Sequence, residues 1–122
     1  MTSVLNVDTI ADKAGTGPVV LTKQHAAKAW IKFDPADSNA IRDSFNFASI
    51  IEDGAGEHTL VFSSSMINAE YCVHVTGSTN RTGSVDTDSQ TTGQYRSQTD
   101  ADDSGNRADT NHTFSSVHGD LA

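Results

Sequence analysis

Ala27-Lys-Ala-Trp-Ile-Lys-Phe33 begins the most regular part of this chain. Apolar side chains occupy every second position from Ala29 to Phe33, and this period of two is typical of a β-strand. The alternation recurs in three later segments, which are Ile41-Arg-Asp-Ser-Phe-Asn-Phe47, Leu60-Val-Phe62 and Ala69-Glu-Tyr-Cys-Val73. Together these segments predict a series of short strands.

Turn signals separate the predicted strands. Asp34-Pro-Ala-Asp-Ser-Asn39 is a cluster of turn-forming residues, and Asp53-Gly-Ala-Gly56 predicts a hairpin in which glycine supplies positive φ. Residues 113–121, with Phe114, Val117 and Leu121, predict a closing strand. The side chains predicted to face the core are Phe33, Phe45, Phe47, Leu60, Phe62, Tyr71 and Val73.

Length and composition suit one small domain with a lean core. The chain has 122 residues, of which 35% are hydrophobic, so oligomerisation is expected to supplement its core. The formal charge of −8 argues against a nucleic-acid partner, because binding phosphates requires a basic face. Cys72 is the only cysteine, which excludes an intrachain disulfide.

The first 24 residues differ from the rest. Val4, Leu5, Val7 and Ile10 form a sparse apolar pattern that cannot fold alone, and Ala14-Gly-Thr-Gly-Pro18 then interrupts the chain. We therefore expect residues 1–24 to be an attachment or stalk segment and residues 25–122 to form the domain. The start lacks the features of a signal peptide, and no apolar run has the length of a membrane span.

Residues 77–112 allow two interpretations. Ser, Thr, Asp, Asn, Gln and Gly dominate, a composition that is typical of disorder because little apolar surface can be buried. The alternative is that this region forms strands and loops of a sandwich supported by neighbouring subunits.

The strand segments, the Gly54-Ala-Gly56 turn and the ending Val117-His-Gly-Asp-Leu-Ala122 resemble the C-terminal domain of bacteriophage tail fibre proteins, particularly those of marine phages. The resemblance covers residues 27–76 best. It implies an all-β fold, an antiparallel β-sandwich of Greek-key or jelly-roll type. The N-terminal segment likewise resembles the shaft-like parts of such fibres, where several chains share one core.

The resemblance also implies a role in the virion. We expect a homotrimer that attaches to other tail or capsid proteins through residues 1–24 and presents loops to a host-surface glycan or outer-membrane receptor. Two alternatives remain open, a capsid decoration or head-fibre protein and a free lectin-like carbohydrate-binding module.

Motifs that would indicate catalysis or metal binding are weak. Asp100, Asp102, Ser104 and Gly105 match the first half of a calcium loop, but Asn111 stands where the bidentate glutamate belongs. No Gly-x-Ser-x-Gly nucleophile motif is present, and no pair among the five histidines has a ligand spacing within one strand. We therefore expect a protein that is not an enzyme, with no cofactor and no metal.

Three further residues are singled out by their context. Tyr95 is the only aromatic residue in the polar region, and Arg96 follows it, so the pair is a candidate ligand-binding site in which Tyr95 stacks on a sugar. The alternative is that Tyr95 packs beneath a loop. Trp30 lies on the opposite strand face from Ala29 and Ile31, which suggests a sheet edge or a subunit interface.

Overall fold

A computed structural model describes residues 26–122, and the attachment segment expected at residues 1–24 lies outside them. The described residues form eight strands and two short 3-10 turns, at Pro35–Asp37 and Thr87–Ser89. The strands are β1 (Ala29–Asp34), β2 (Ala40–Phe45), β3 (Phe47–Gly54), β4 (Glu57–Phe62), β5 (Cys72–Gly77), β6 (Arg81–Asp86), β7 (Gln94–Ala101) and β8 (Thr113–His118). Nowhere in this part of the chain is there a helix that could cross a membrane.

The strands build two antiparallel four-stranded sheets that pack together as a sandwich. Sheet I has the order β2-β1-β8-β5, and sheet II has the order β3-β4-β7-β6. Hairpins join β1 to β2, β3 to β4 and β6 to β7. The last strand, β8, lies in the middle of sheet I, where it pairs with both β1 and β5. The predicted all-β antiparallel sandwich is confirmed.

The hairpin predicted at Asp53-Gly-Ala-Gly56 joins β3 to β4, and Gly56 has the positive φ of 70° expected there. A Cβ on Gly56 would also meet the backbone nitrogen of Ala108 at 2.6 Å. Gly56 therefore provides both the turn conformation and the space for a close approach of a second segment.

Asn46 divides a segment that the alternation treated as one strand. Its φ is 61°, so β2 ends at Phe45 in sheet I and β3 begins at Phe47 in sheet II. The Asn46 amide donates to the carbonyl oxygens of Lys28 at 3.2 Å and Ser64 at 3.1 Å, and its Oδ1 accepts from the backbone N–H of Ser64 at 2.7 Å. Phe47 is consequently buried, whereas Phe45 is 53% exposed. The prediction that Phe45 belongs to the core is wrong.

The core lies between the sheets and is centred on four rings. Phe47, Phe62, Tyr71 and Tyr95 contact one another with ring centroids between 5.3 Å and 6.4 Å apart. The buried hydrophobic residues are Ala29, Ile31, Phe33, Phe47, Leu60, Phe62, Met66, Tyr71, Tyr95 and Val117. Five of the seven predicted core residues are therefore buried, and Val73 packs against the core while partly exposed.

The polar region 77–112 contains β6 and β7, so the interpretation as strands is confirmed. The inward face of β7 carries Tyr95, Ser97 and Thr99, all of them buried. The Ser97 hydroxyl donates to the carbonyl oxygen of His58 at 3.2 Å, and that of Thr99 donates to Ala108 O at 2.8 Å. Because each hydroxyl has a backbone acceptor, a strand with few apolar residues can be buried at little cost.

The two sides of the sandwich differ. On one side β5 and β6 approach so closely that a Cβ on Gly83 would overlap the carbonyl oxygen of Val75. On the other side lie the edge strands β2 and β3, where the apolar side chains of Ile41, Phe45 and Ile51 are each more than 40% exposed. We call this β2–β3 side the open side.

Candidate functional site

The structure does not place Tyr95 and Arg96 in one site. Tyr95 is fully buried, and its hydroxyl shares a hydrogen bond of 2.7 Å with the hydroxyl of Ser115. Successive side chains of a strand point to opposite faces, so Arg96 emerges on the outer face of sheet II. The prediction that Tyr95 stacks on a ligand beside Arg96 is wrong, and the alternative of a packed tyrosine is the one observed.

Arg96 is held by two carboxylates on the outer face of sheet II. Its Nε lies 3.3 Å from Asp53 Oδ2, and one terminal nitrogen lies 3.4 Å from Asp86 Oδ2. Thr59 donates to the same Asp53 oxygen at 2.6 Å. The guanidinium therefore ties together β3, β7 and the end of β6.

The acidic segment around Asp100 forms a turn. Asp100 pairs with Arg107, and Asp102 accepts a hydrogen bond from the Thr82 hydroxyl at 2.7 Å. Gly105 has a φ of 66° and lies at the turn that leaves β7. Within residues 26–122, no cluster of three or more His, Cys, Asp or Glu side chains could hold a metal ion.

His58 is a core residue. It is 2% exposed, its ring meets the Phe33 ring edge-on at 5.3 Å, and its Nε2 lies 4.0 Å from Asp109 Oδ1. Burial lowers the pKa of His58 below its ordinary value of 6.5, although the carboxylate of Asp109 acts in the opposite direction. The uncharged imidazole is therefore the form that this position favours.

The outer face of sheet I carries the exposed rings. Trp30 on β1 lies directly opposite Phe45 on β2, and the two side chains are 39% and 53% exposed. On β8, Phe114 is 41% exposed, and the Lys32 ammonium lies 5.4 Å from the centre of its ring. This distance is typical of a cation–π contact.

A groove of about 380 Å³ crosses this face, and we call it the Ser116 groove. Ser116 lies between Trp30 and His74 in the strand register, and Phe114 occupies the next outward position of β8. The residues that line the groove with outward side chains are Trp30, Lys32, His74, Thr76, Phe114 and Ser116. The small side chain of Ser116 leaves a depression among larger neighbours.

The Ser116 groove could be anticipated only in part. The alternation predicts that the Trp30 and Ile31 side chains lie on opposite faces of the strand, as they do. The predicted sheet edge is wrong, because β1 is a central strand of sheet I. Phe114 and Val117 are three residues apart, and this odd spacing already implies opposite faces of one strand. His74 and Thr76 reach the groove only because β5 pairs with β8.

A second, polar cleft of about 270 Å³ lies beside Arg81 and Asp109. Arg81 Nε donates to the carbonyl oxygen of Asp109 at 3.0 Å, and the backbone N–H of Ser78 donates to the Thr110 hydroxyl at 3.0 Å. These groups satisfy one another, so the cleft offers fewer free polar atoms to a ligand than its composition implies.

The Ser116 groove combines ring faces with a hydroxyl, an imidazole and an ammonium group. This combination can bind a ligand by stacking and by hydrogen bonds. In comparisons with known proteins, no family model, no curated protein and no solved structure matches the chain.

Proposed function

We propose that this chain is a bacteriophage virion protein, a tail fibre or short tail appendage that attaches to the particle and presents a binding surface to the host. The resemblance of residues 27–76 and of the last strand to tail fibre domains motivates the proposal. The antiparallel sandwich is the fold class that such a domain requires.

The observation that carries the proposal is where the chain places its apolar residues. Ser97, Thr99, Thr113 and Ser115 occupy the interior, while large hydrophobic side chains remain outside. The exposed ones are Trp30, Ile41, Phe45, Ile51, Ile67, Phe114 and Leu121, and five of them lie on β1, β2, β3 and β8. Clustered exposed apolar side chains mark an interaction surface, whereas single ones do not.

The proposal includes a homotrimer in which copies meet along the open side of the sandwich. Ile41, Phe45 and Ile51 supply uncharged surface there, on a molecule whose formal charge is −8. Because the net charge makes copies repel one another, contact is favoured where apolar side chains can be covered, although the exposed charges of Arg42 and Glu52 lie on the same two strands. Among the described strands, β2 and β3 each have one neighbour only, so the outer backbone groups of these edge strands are a surface with which a second copy could pair.

Locating the chain on purified particles tests this function. Antibodies against residues 25–122 should label the tail or a short tail appendage of the phage that encodes the chain. A chain that lacks residues 1–24 should fold but fail to incorporate, because the proposal assigns attachment to that segment. Labelling of the capsid would indicate the decoration or head-fibre alternative, and absence from particles would favour a free lectin-like module.

A further inference from the structure

We propose that the Ser116 groove binds a neutral hexopyranose, so that the outer face of sheet I is the glycan-binding surface. The inference rests on the proposed function, because it names the class of host molecule that such an appendage would contact. The binding surface is then a sheet face, whereas the candidate pair Tyr95 and Arg96 placed it in the polar region 77–112.

The geometry fits a saturated ring with hydroxyl groups. Trp30 and Phe114 occupy diagonal positions on neighbouring strands. Large side chains at such positions can reach across the distance between them. Ser116 is small, lies directly opposite Trp30 and is two residues from Phe114, so a ligand ring above it can contact both aromatic side chains. The volume of about 380 Å³ falls within the range of small-molecule sites.

Polar groups around the depression can contact the hydroxyls of a sugar. Ser116 and Thr76 can donate or accept hydrogen bonds, and Lys32 and His74 bring further donors. Of these, Lys32 forms no ion pair with a carboxylate among the described residues. Its ammonium lies 5.4 Å from the centre of the Phe114 ring, where hydrogens that do not point at the ring can be donated to a ligand oxygen.

The charge of the site selects among ligand classes. Among the described residues no carboxylate lines the Ser116 groove, and the Lys32 ammonium already lies at the Phe114 ring, so its positive charge disfavours a cationic ligand. A polyanion would be repelled by a protein of charge −8. A purely apolar ligand would cover Ser116, Thr76 and His74 without satisfying their polar atoms. A neutral pyranose has an apolar face for the rings and hydroxyls for the polar groups.

Trp30 provides a direct readout, because it is the only tryptophan in the chain. Full-length protein is titrated with the methyl glycosides of glucose, galactose, mannose and N-acetylglucosamine while tryptophan fluorescence is recorded. Saturation-transfer NMR on the same mixtures identifies which protons of the sugar contact the protein. We expect a saturable change with at least one glycoside, and transfer to the ring protons of one sugar face.

Two substitutions change the groove while keeping Trp30. Ser116→Phe fills the depression and should abolish the saturable change. Phe114→Ala removes one wall and should weaken binding about tenfold. The matched control is Ser84→Phe, which places the same new ring on the outer face of sheet II, because Ser84 pairs with the outward Gln98. Circular dichroism checks that each variant is folded.

Three results would overturn the inference. The first is that the wild-type protein responds to none of the four glycosides. The second is that a folded Ser116→Phe variant binds like wild type, and the third is that this substitution changes the number of chains in the oligomer. The last result would assign the groove to a contact between copies. Adsorption of the protein to host cells separates the glycan-binding proposal from the proposed function. If the Ser116→Phe variant adsorbs as well as wild type, the groove is not the binding site, but the role of the chain as a host-binding appendage still stands.

Discussion

At the scale of single residues, the strand face decides burial more than residue type does. Ser97 and Thr99 are almost completely buried, whereas Trp30 and Phe45 face solvent. The buried hydroxyls are tolerated because backbone carbonyls accept their hydrogen bonds. Trp30 and Phe45 lie on the outward faces of their strands. A prediction of burial from hydrophobicity alone would therefore place both side chains in the core, which is incorrect.

Phe62 should be one of the most sensitive positions for stability. Its ring contacts those of Phe47, Tyr71 and Tyr95 in the core. Phe62→Ala should lower the free energy of unfolding by about 3–5 kcal/mol, measured by urea denaturation, because it leaves a cavity. Phe114→Ala is the matched control on an outward face and should cost about 1 kcal/mol or less. Equal losses in the two variants would contradict the assignment of faces.

His58 should make stability depend on pH. Its pKa is lowered in the folded protein relative to about 6.5 in the unfolded chain, so the unfolded state binds more protons at acidic pH. Stability should therefore fall as the pH drops below about 6.5, even though Asp109, Glu52 and Asp53 partly favour the charged form.

The measurement compares wild type with His58→Gln from about pH 8 to about pH 5, using the free energy of unfolding at each pH. The other described histidines, His74, His112 and His118, are present in both proteins and serve as the internal control. We expect the difference between the two curves to change in this range. A constant difference would show that His58 titrates alike in both states.

At the scale of elements, two local devices shape the sandwich. Asn46 uses a left-handed backbone conformation and three hydrogen bonds to send the chain from sheet I to sheet II. Gly83 allows β6 to pass close to the backbone of β5. The strand from Ala29, the hairpin at Gly56 and the closing strand were all predictable, because their signals are local. The break at Asn46 was not predictable, because the carbonyl groups that its side-chain amide contacts lie 18 residues away in the chain.

Gly83→Ala should therefore destabilise the fold. The added methyl group would overlap the carbonyl oxygen of Val75, a backbone atom that cannot move without shifting β5. We expect a loss of about 1–3 kcal/mol in the free energy of unfolding, as for other overpacked sites. Gly93→Ala is the control, since its Cβ would meet only the Ser65 hydroxyl at 3.9 Å. A loss no larger than in that control would mean that β5 and β6 can separate freely.

At the scale of the whole molecule, the chain has few hydrophobic residues and places several of them on the surface, while polar side chains fill part of the interior. Hydrophobic residues make up 35% of the chain, and several of the largest lie outside the core. The core is completed instead by hydroxyl side chains such as Thr113 and Ser115. In the proposed trimer, contacts between copies would supply part of the stability that such a lean core lacks.

Light scattering of the purified full-length chain should accordingly give the mass of three chains. Phe45→Asp should dissociate the assembly, because it buries a charge at the open side. Ser84→Asp on β6, the edge strand on the opposite side, should leave the mass unchanged. A folded wild-type monomer at micromolar concentration would refute the trimer.

The amino-acid sequence by itself determined the all-β class, the first strand, the hairpin at Gly56 and the closing strand, because alternation and turn chemistry are properties of neighbouring residues. It left β6 and β7 open between strand and disorder. The alternation also placed the Trp30 and Ile31 side chains on opposite faces of β1. Only the tertiary structure decided that β8 lies between β1 and β5, that Tyr95 is buried against Ser115, and that His74 joins the Ser116 groove. These features depend on residues far apart in the chain, and only the fold brings the buried hydroxyls of Ser97 and Thr99 to the carbonyl oxygens that accept their hydrogen bonds.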